Sequence, residues 1–193
     1  MRAPILRGLA LAVLLSLPAG AADPAEALIA ERNCAACHGE RGISAMPNIP
    51  SLAGQRPDFI TLQLILFREG LRDVPPMAQA SEGLTDAQVE ALAAFYAALP
   101  AGPPPDRAPR DEARAAQGAA LSERLRCGIC HRADFSGQNQ VPRLTGQRED
   151  FLDETLRAYR DNVRRGTDTQ MNAAVHGLSD ADIGAIAHFI AHR

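Results

Sequence analysis

The feature that most constrains this chain is that it is written twice. CAACH at residues 34–38 and CGICH at residues 127–131 use all four cysteines, and placing Cys34 on Cys127 sets an offset of 127 − 34 = 93. The flanking sequence keeps it: LAGQRPDF at 52–59 matches LTGQREDF at 144–151, and GLTDAQVEALAAFYA at 83–97 matches GLSDADIGAIAHFIA at 177–191. The offset moves only from 93 to 92 and then 94, so the halves differ by one- and two-residue changes of length in loops. Two similar units in tandem follow.

Within each unit the apolar residues recur at helical spacing, with no sustained alternation of period two, so an all-α fold with three main helices per unit is expected. Asp23 and Pro24 read as cap and first position of a short helix that delivers Cys34; about Asp111 to Arg126 does the same for Cys127. Pro57 to Glu69, ended by Gly70, is the second helix, matched by Glu149 to about Arg165. The third opens at Thr85 with Gln88 at capping-box spacing and buries Val89, Leu92, Tyr96 and Leu99; its copy opens at Ser179 and buries Ile183, Ile186 and Ile190. Leu62 and Ile65 stand where the second half has Glu154 and Arg157. That face is expected either to meet the other domain or a partner, or to add to its own core.

Met1 to Ala22 has Arg2 and Arg7, an apolar run and a small-residue end, the layout of a cleaved secretory signal, and points to the periplasm. The expected organisation is a signal peptide at 1–22, one domain at 23–100, a proline-rich linker at 101–110 and a second domain at 111–193. Formal charge is −3, so nucleic acid is not an obvious partner. Aromatic residues are only 4% of the chain, with no Trp, which is thin for two small cores.

CxxCH is the attachment sequence for c-type haem: two thiols one helical turn apart add across the two vinyl groups, and the adjacent histidine ligates iron. Zinc held by cysteines, disulfides in one of three connectivities, and a thioredoxin-like pair are the alternatives. Two copies with histidine in place, in a helical duplication, favour haem, and a porphyrin in each domain answers the shortage of aromatics. The cofactor-binding residues are then Cys34, Cys37, His38, Cys127, Cys130 and His131. Met77 and Met171 coincide in the repeat, 39 and 40 residues after their histidines, in what read as loops between helices two and three. They are the candidate second ligands, since a thioether favours ferrous iron. Met46 has no counterpart and is a minor candidate; His176, His188 and His192 read as solvated or capping.

With CAACHG, PNIPSLAGQ, FREGLR at 67–72, the ligand Met and the final helix in view, the chain resembles the diheme cytochrome c4 family, each half resembling a class I cytochrome c. The resemblance implies that Pro50 and Pro142 accept a hydrogen bond from the axial histidines. It also implies two covalent haem c groups facing each other across a pseudo-twofold interface, and a respiratory complex or terminal oxidase as partner. Iron with both a histidine and a methionine ligand favours electron transfer over catalysis; the alternatives are a haem subunit that accepts electrons from a dehydrogenase, such as a sulfide-oxidising flavoprotein, and a diheme peroxidase. Peripheral membrane association and a monomer are further expectations. The second half departs from the pattern in lacking glycine after His131 and in having TDTQ before its Met.

Overall fold

The computed structural model describes residues 24–164 and 169–193; the expected leader and the Asp23 cap lie outside them. The described residues form ten helices and one isolated antiparallel bridge, Gln138 to Val141, with no strand. The first half carries α1 (Pro24–Glu31), α2 (Cys34–His38), α3 (Pro57–Arg68), α4 (Pro75–Ser81) and α5 (Asp86–Ala98). The second repeats them as α6 (Glu112–Arg124), α7 (Cys127–His131), α8 (Glu149–Arg160), α9 (Gln170–Ala174) and α10 (Asp180–Ala191). The principal helix packings, α1 and α3 on α5 and α6 and α8 on α10, stay within one half, as two tandem cytochrome c-like domains require.

The ends are fixed by local chemistry. Thr85 and Gln88 form the expected capping box on α5, and Ser179 and Asp182 form its copy on α10. Gly70, at φ 67°, closes α3: its N–H bonds to the Phe67 carbonyl and the Leu71 N–H to Leu66, a Schellman ending. In the second half the left-handed position belongs to Asn162, φ 58°, so α8 stops at Arg160 and not near Arg165 as its sequence suggested. A polar Asn can occupy that region, which made the stop harder to see than a Gly.

Behind α5 lie Leu28, Leu84, Val89 and Leu92 in one cluster and Ile60, Ala93 and Tyr96 in another; behind α10 lies a larger one including Leu121, Phe135, Leu152, Ile186 and Ile190. Leu99, expected in the core stripe, is only half-buried. Ile65, half-buried, packs on the Leu28 cluster of its own domain. Arg157, its copy, instead pairs with Asp153 and Asp180.

The linker runs along the second domain. Asp106 accepts two bonds from Arg148, at 2.7 and 3.0 Å, Arg107 donates to the Ala191 carbonyl, and Ala108 offers its carbonyl to His192. No helix among the described residues is long and apolar enough to cross a membrane.

Candidate haem sites and the junction between them

Each CxxCH forms a one-turn helix of its own, set off from the preceding helix by a single residue in the left-handed region, Asn33 at φ 54° and Arg126 at φ 58°. The helical turn brings both cysteines and the histidine to one end of the domain. Cys37 and Cys130 are exposed and Cys34 and Cys127 half-buried, and all four are unpaired. Burial pushes the Cys34 and Cys127 thiols up, toward the neutral form and away from thiolate chemistry.

The histidines are better defined. His38 Nδ1 lies 2.9 Å from the Pro50 carbonyl and His131 Nδ1 lies 3.0 Å from the Pro142 carbonyl. A carbonyl can only accept, so Nδ1 carries the proton and each Nε2 keeps its lone pair. Burial pushes both imidazoles down from their ordinary pKa, against the pull of the proline carbonyls, which favours this neutral form. A buried neutral imidazole, oriented through one nitrogen and open at the other, is the state a metal ligand requires. The loops that present the carbonyls are tied down: Ser44 donates from Oγ to the Cys37 carbonyl and from N to Ser51 Oγ. In the second half Gly137 takes that place, its N–H on the His131 carbonyl, and a Cβ there would stand 2.5 Å from Pro142 and Arg143 backbone.

Met77 lies in α4, packed on α3, and Met171 in α9, packed on α8, so the segments expected as loops are short helices. Both methionines are half-buried, while Met46 is exposed. Pro75 and Pro76 open α4. In α9 the buried Asn172 replaces them as the fastener, donating Nδ2 to the Tyr159 and Arg164 carbonyls at 2.8 and 3.0 Å.

Two arginines missed in the sequence test the fit of a haem. Arg72 lies over the Phe67 ring and Arg164, its copy, over Tyr159, with side-chain partners Gln63 and Thr155 and no carboxylate ion pair among the described residues. Burial, with the neighbouring Arg164, pushes Arg72 down to about 9, and burial depresses Arg164 as well. Desolvated guanidiniums without acids call for anions, and haem carries two carboxylates. The donor set therefore fits haem. The signal was present in FREGLR and its copy, but an exposed arginine is the ordinary outcome for such a position.

Among the described residues one group of three metal-capable side chains occurs, Glu149, His188 and His192, and no cysteine belongs to it. His188 is buried, not solvated: its Nε2 accepts from the Asp111 N–H and its Nδ1 therefore donates to Glu149. The His192 nitrogens face the His188 and Ala108 carbonyls. These histidines fasten the linker to the last helix; His176 is exposed.

The halves meet through a reciprocal contact that the sequence reading passed over. Gln147 accepts the Ser51 N–H at 2.8 Å and donates to the Ser51 carbonyl at 2.9 Å. Gln55 does the same with Arg143, at 2.7 and 2.9 Å. Gln55 copies Gln147 and Ser51 copies Arg143 at offset 92, so the contact has the twofold character of the duplication. The repeated LAGQ and LTGQ were the available trace.

Comparison with known proteins follows the same division. The family model described as cytochrome c matches residues 115–193, and that described as cytochrome c oxidase, cbb3-type, subunit III matches residues 20–95. A cytochrome c4 from Thiocapsa roseopersicina is 36% identical over 166 residues, covering 81% of this chain and 85% of that protein. A thiosulfate dehydrogenase electron acceptor from Stutzerimonas stutzeri (strain A1501) is 32% identical over 199 residues, covering 94% and 91%. The crystal structure of reduced recombinant cytochrome c4 from Pseudomonas stutzeri superposes with a TM-score of 0.78 at 28% identity, covering 90% of this chain and 98% of that one.

Proposed function

Since the chain belongs to the cytochrome c4 family, we propose that it carries single electrons between respiratory donors and acceptors in the periplasm, and does so as a carrier and not as a catalyst. The two covalent haem c groups of the family are part of it. Cys34 and Cys37 would hold the first and Cys127 and Cys130 the second, with His38 and Met77, and His131 and Met171, as the iron ligands. A haem so held would supply one-electron exchange, with no place on its iron left for a reactant.

The chain's own residues do the rest. Pro50 and Pro142 hold the His38 and His131 imidazoles by their Nδ1 protons, which fixes ring orientation and would raise their basicity as iron ligands. Arg72 and Arg164 would face haem carboxylates and offset their charge. The single observation that carries the reading is the pair of buried histidines, held toward the neutral form by burial, each with one nitrogen committed to a proline carbonyl and the other without a hydrogen-bond partner among the described residues. The test is a spectroscopic redox titration of wild type beside Met77→Ala and Met171→Ala. Each variant is expected to lose half of the thioether-to-iron absorption band; an unchanged band in both removes the ligand assignment.

The relative named as a thiosulfate dehydrogenase electron acceptor, matching over 94% of this chain, favours one particular donor. On that second reading a thiosulfate-oxidising enzyme supplies the electrons. Rapid reduction of the purified cytochrome by such an enzyme and thiosulfate is its expected signature, and reduction no faster than with thiosulfate alone would remove it.

A further inference from the structure

The CxxCH histidine of each domain is hydrogen-bonded to a peptide group whose other end is held by the opposite domain. The Pro50–Ser51 peptide accepts from His38 Nδ1 on its carbonyl, 2.9 Å, and donates its N–H to Gln147 Oε1, 2.8 Å. The Pro142–Arg143 peptide accepts from His131 Nδ1, 3.0 Å, and donates to Gln55 Oε1, 2.7 Å. Both glutamines are 7% exposed, so water does not compete for these bonds. Each Oε1 also accepts the N–H of the residue that caps the next helix, Arg56 for Gln55 and Arg148 for Gln147, and so is held in place.

A peptide whose N–H is bonded has a more electron-rich carbonyl, because resonance shifts charge from nitrogen to oxygen; chains of such bonds strengthen one another by about 10–30% per bond. A stronger acceptor on Nδ1 gives the imidazole more anionic character, and a more basic ligand favours ferric iron. We propose that Gln55 and Gln147 are positioning residues acting across the interface, each lowering the reduction potential of the centre in the other domain. The proposal rests on His38 and His131 as iron ligands.

The dependence is crossed, and that makes it testable. Gln147→Met keeps the side chain's length and removes its hydrogen bonds. Potentiometric titration, followed centre by centre through resolved NMR resonances, is expected to show an upward shift at the His38 centre with the His131 centre unmoved. Gln55→Met is expected to do the reverse. Gln147→Glu keeps an oxygen on the Ser51 N–H and should leave the His38 centre at or below its wild-type potential. Shifts at both centres together, at the variant's own centre only, or at neither overturn the proposal, as does a Gln147→Glu that rises like Gln147→Met. Should the Met variants fail to fold, hydrogen exchange in the reduced wild type decides: the Ser51 and Arg143 amides should be as protected as the helix cores, and fast exchange at either overturns the link. Failure of the ligation reading looks different, because the wild type itself would then lack the thioether-to-iron band.

Discussion

The residue after each haem histidine shows how the copies diverged. Gly39 sits at φ 80° and ψ 149°, and a Cβ there would stand 2.1 Å from the Ile43 carbonyl oxygen. Its copy Arg132 holds nearly the same backbone, φ 66° and ψ 161°, in a region that is essentially glycine's alone and costs a side chain about 1–3 kcal/mol. Arg132 is exposed and makes no side-chain hydrogen bond among the described residues that would offset this. Arg132→Gly should therefore raise the stability of the second domain by about 1 kcal/mol, the glycine's extra unfolded-state entropy taking back part of the relief. Gly39→Ala should cost the first domain about 2 kcal/mol or more. Thermal unfolding of the reduced protein reads both; an Arg132→Gly that destabilises would show that the left-handed turn is not strained. A second exchange runs between Gly42 and Phe135, both at positive φ. Gly42 leaves room for Tyr96, whose ring would be 3.1 Å from a Cβ, whereas Phe135 fills the space beside Ile190, the copy of Tyr96. The aromatic ring has changed sides of the core, which conserves volume.

At the scale of the element, the two methionine helices are secured by different means. In α4 two prolines preset the backbone, which lowers the entropy the segment loses on ordering. In α9 a single buried amide, Asn172, crosses to the end of α8, and its copy in the first half is Ala78. Asn172→Ala should cost about 1–3 kcal/mol, because the Arg164 carbonyl loses its donor and the Tyr159 carbonyl is left with its backbone bond from the Asn162 N–H. On heating, the Met171 share of the thioether-to-iron band should then vanish at a lower temperature than in wild type while the Met77 share stays; simultaneous loss of both would place the fastening elsewhere. This difference explains what was legible in the sequence. Proline and capping-box signals speak locally, so α3, α5 and α10 and their starts could be read directly; the CxxCH motif singled out His38 and His131, and repetition alone made Met77 and Met171 candidates. α9 has no such signal: its fastener is a long-range bond from an unremarkable Asn. The same holds for Gln55, Gln147 and His188, whose partners lie 39 to 96 residues away and whose residue types are ordinarily solvated.

At the scale of the whole molecule, a symmetric frame is locked by an asymmetric bolt. The glutamine pair obeys the duplication, but the chain has one linker, and only Arg148 can use it. Arg148, 6% exposed, bonds Asp106 of the linker, Asp150 beside it and, at 3.3 Å, the Ser44 carbonyl of the first half. Its copy Arg56 leaves Nε buried with no hydrogen-bond partner among the described residues. The bond to Arg148 holds Asp106 below the usual carboxylate range. For Asp150 burial pushes upward, but Arg148 and the N–H groups of Asn48 and Phe151 together outweigh it, and its pKa is also lowered. A carboxyl depressed on folding contributes stability that is present above its unfolded pKa, about 4, and is lost as pH falls through the lower folded value. The junction should therefore be intact at neutral pH and loosen in acid, below about pH 4, before the covalently anchored domains unfold. Small-angle scattering is expected to show a larger radius of gyration for wild type near pH 3 than at pH 7 with helical content retained. Asp106→Asn should show part of that expansion already at pH 7, because the buried guanidinium keeps Asp150 alone. Equal radii for wild type and Asp106→Asn at both values would mean that the glutamine pair holds the halves together unaided and that the linker's acid is incidental.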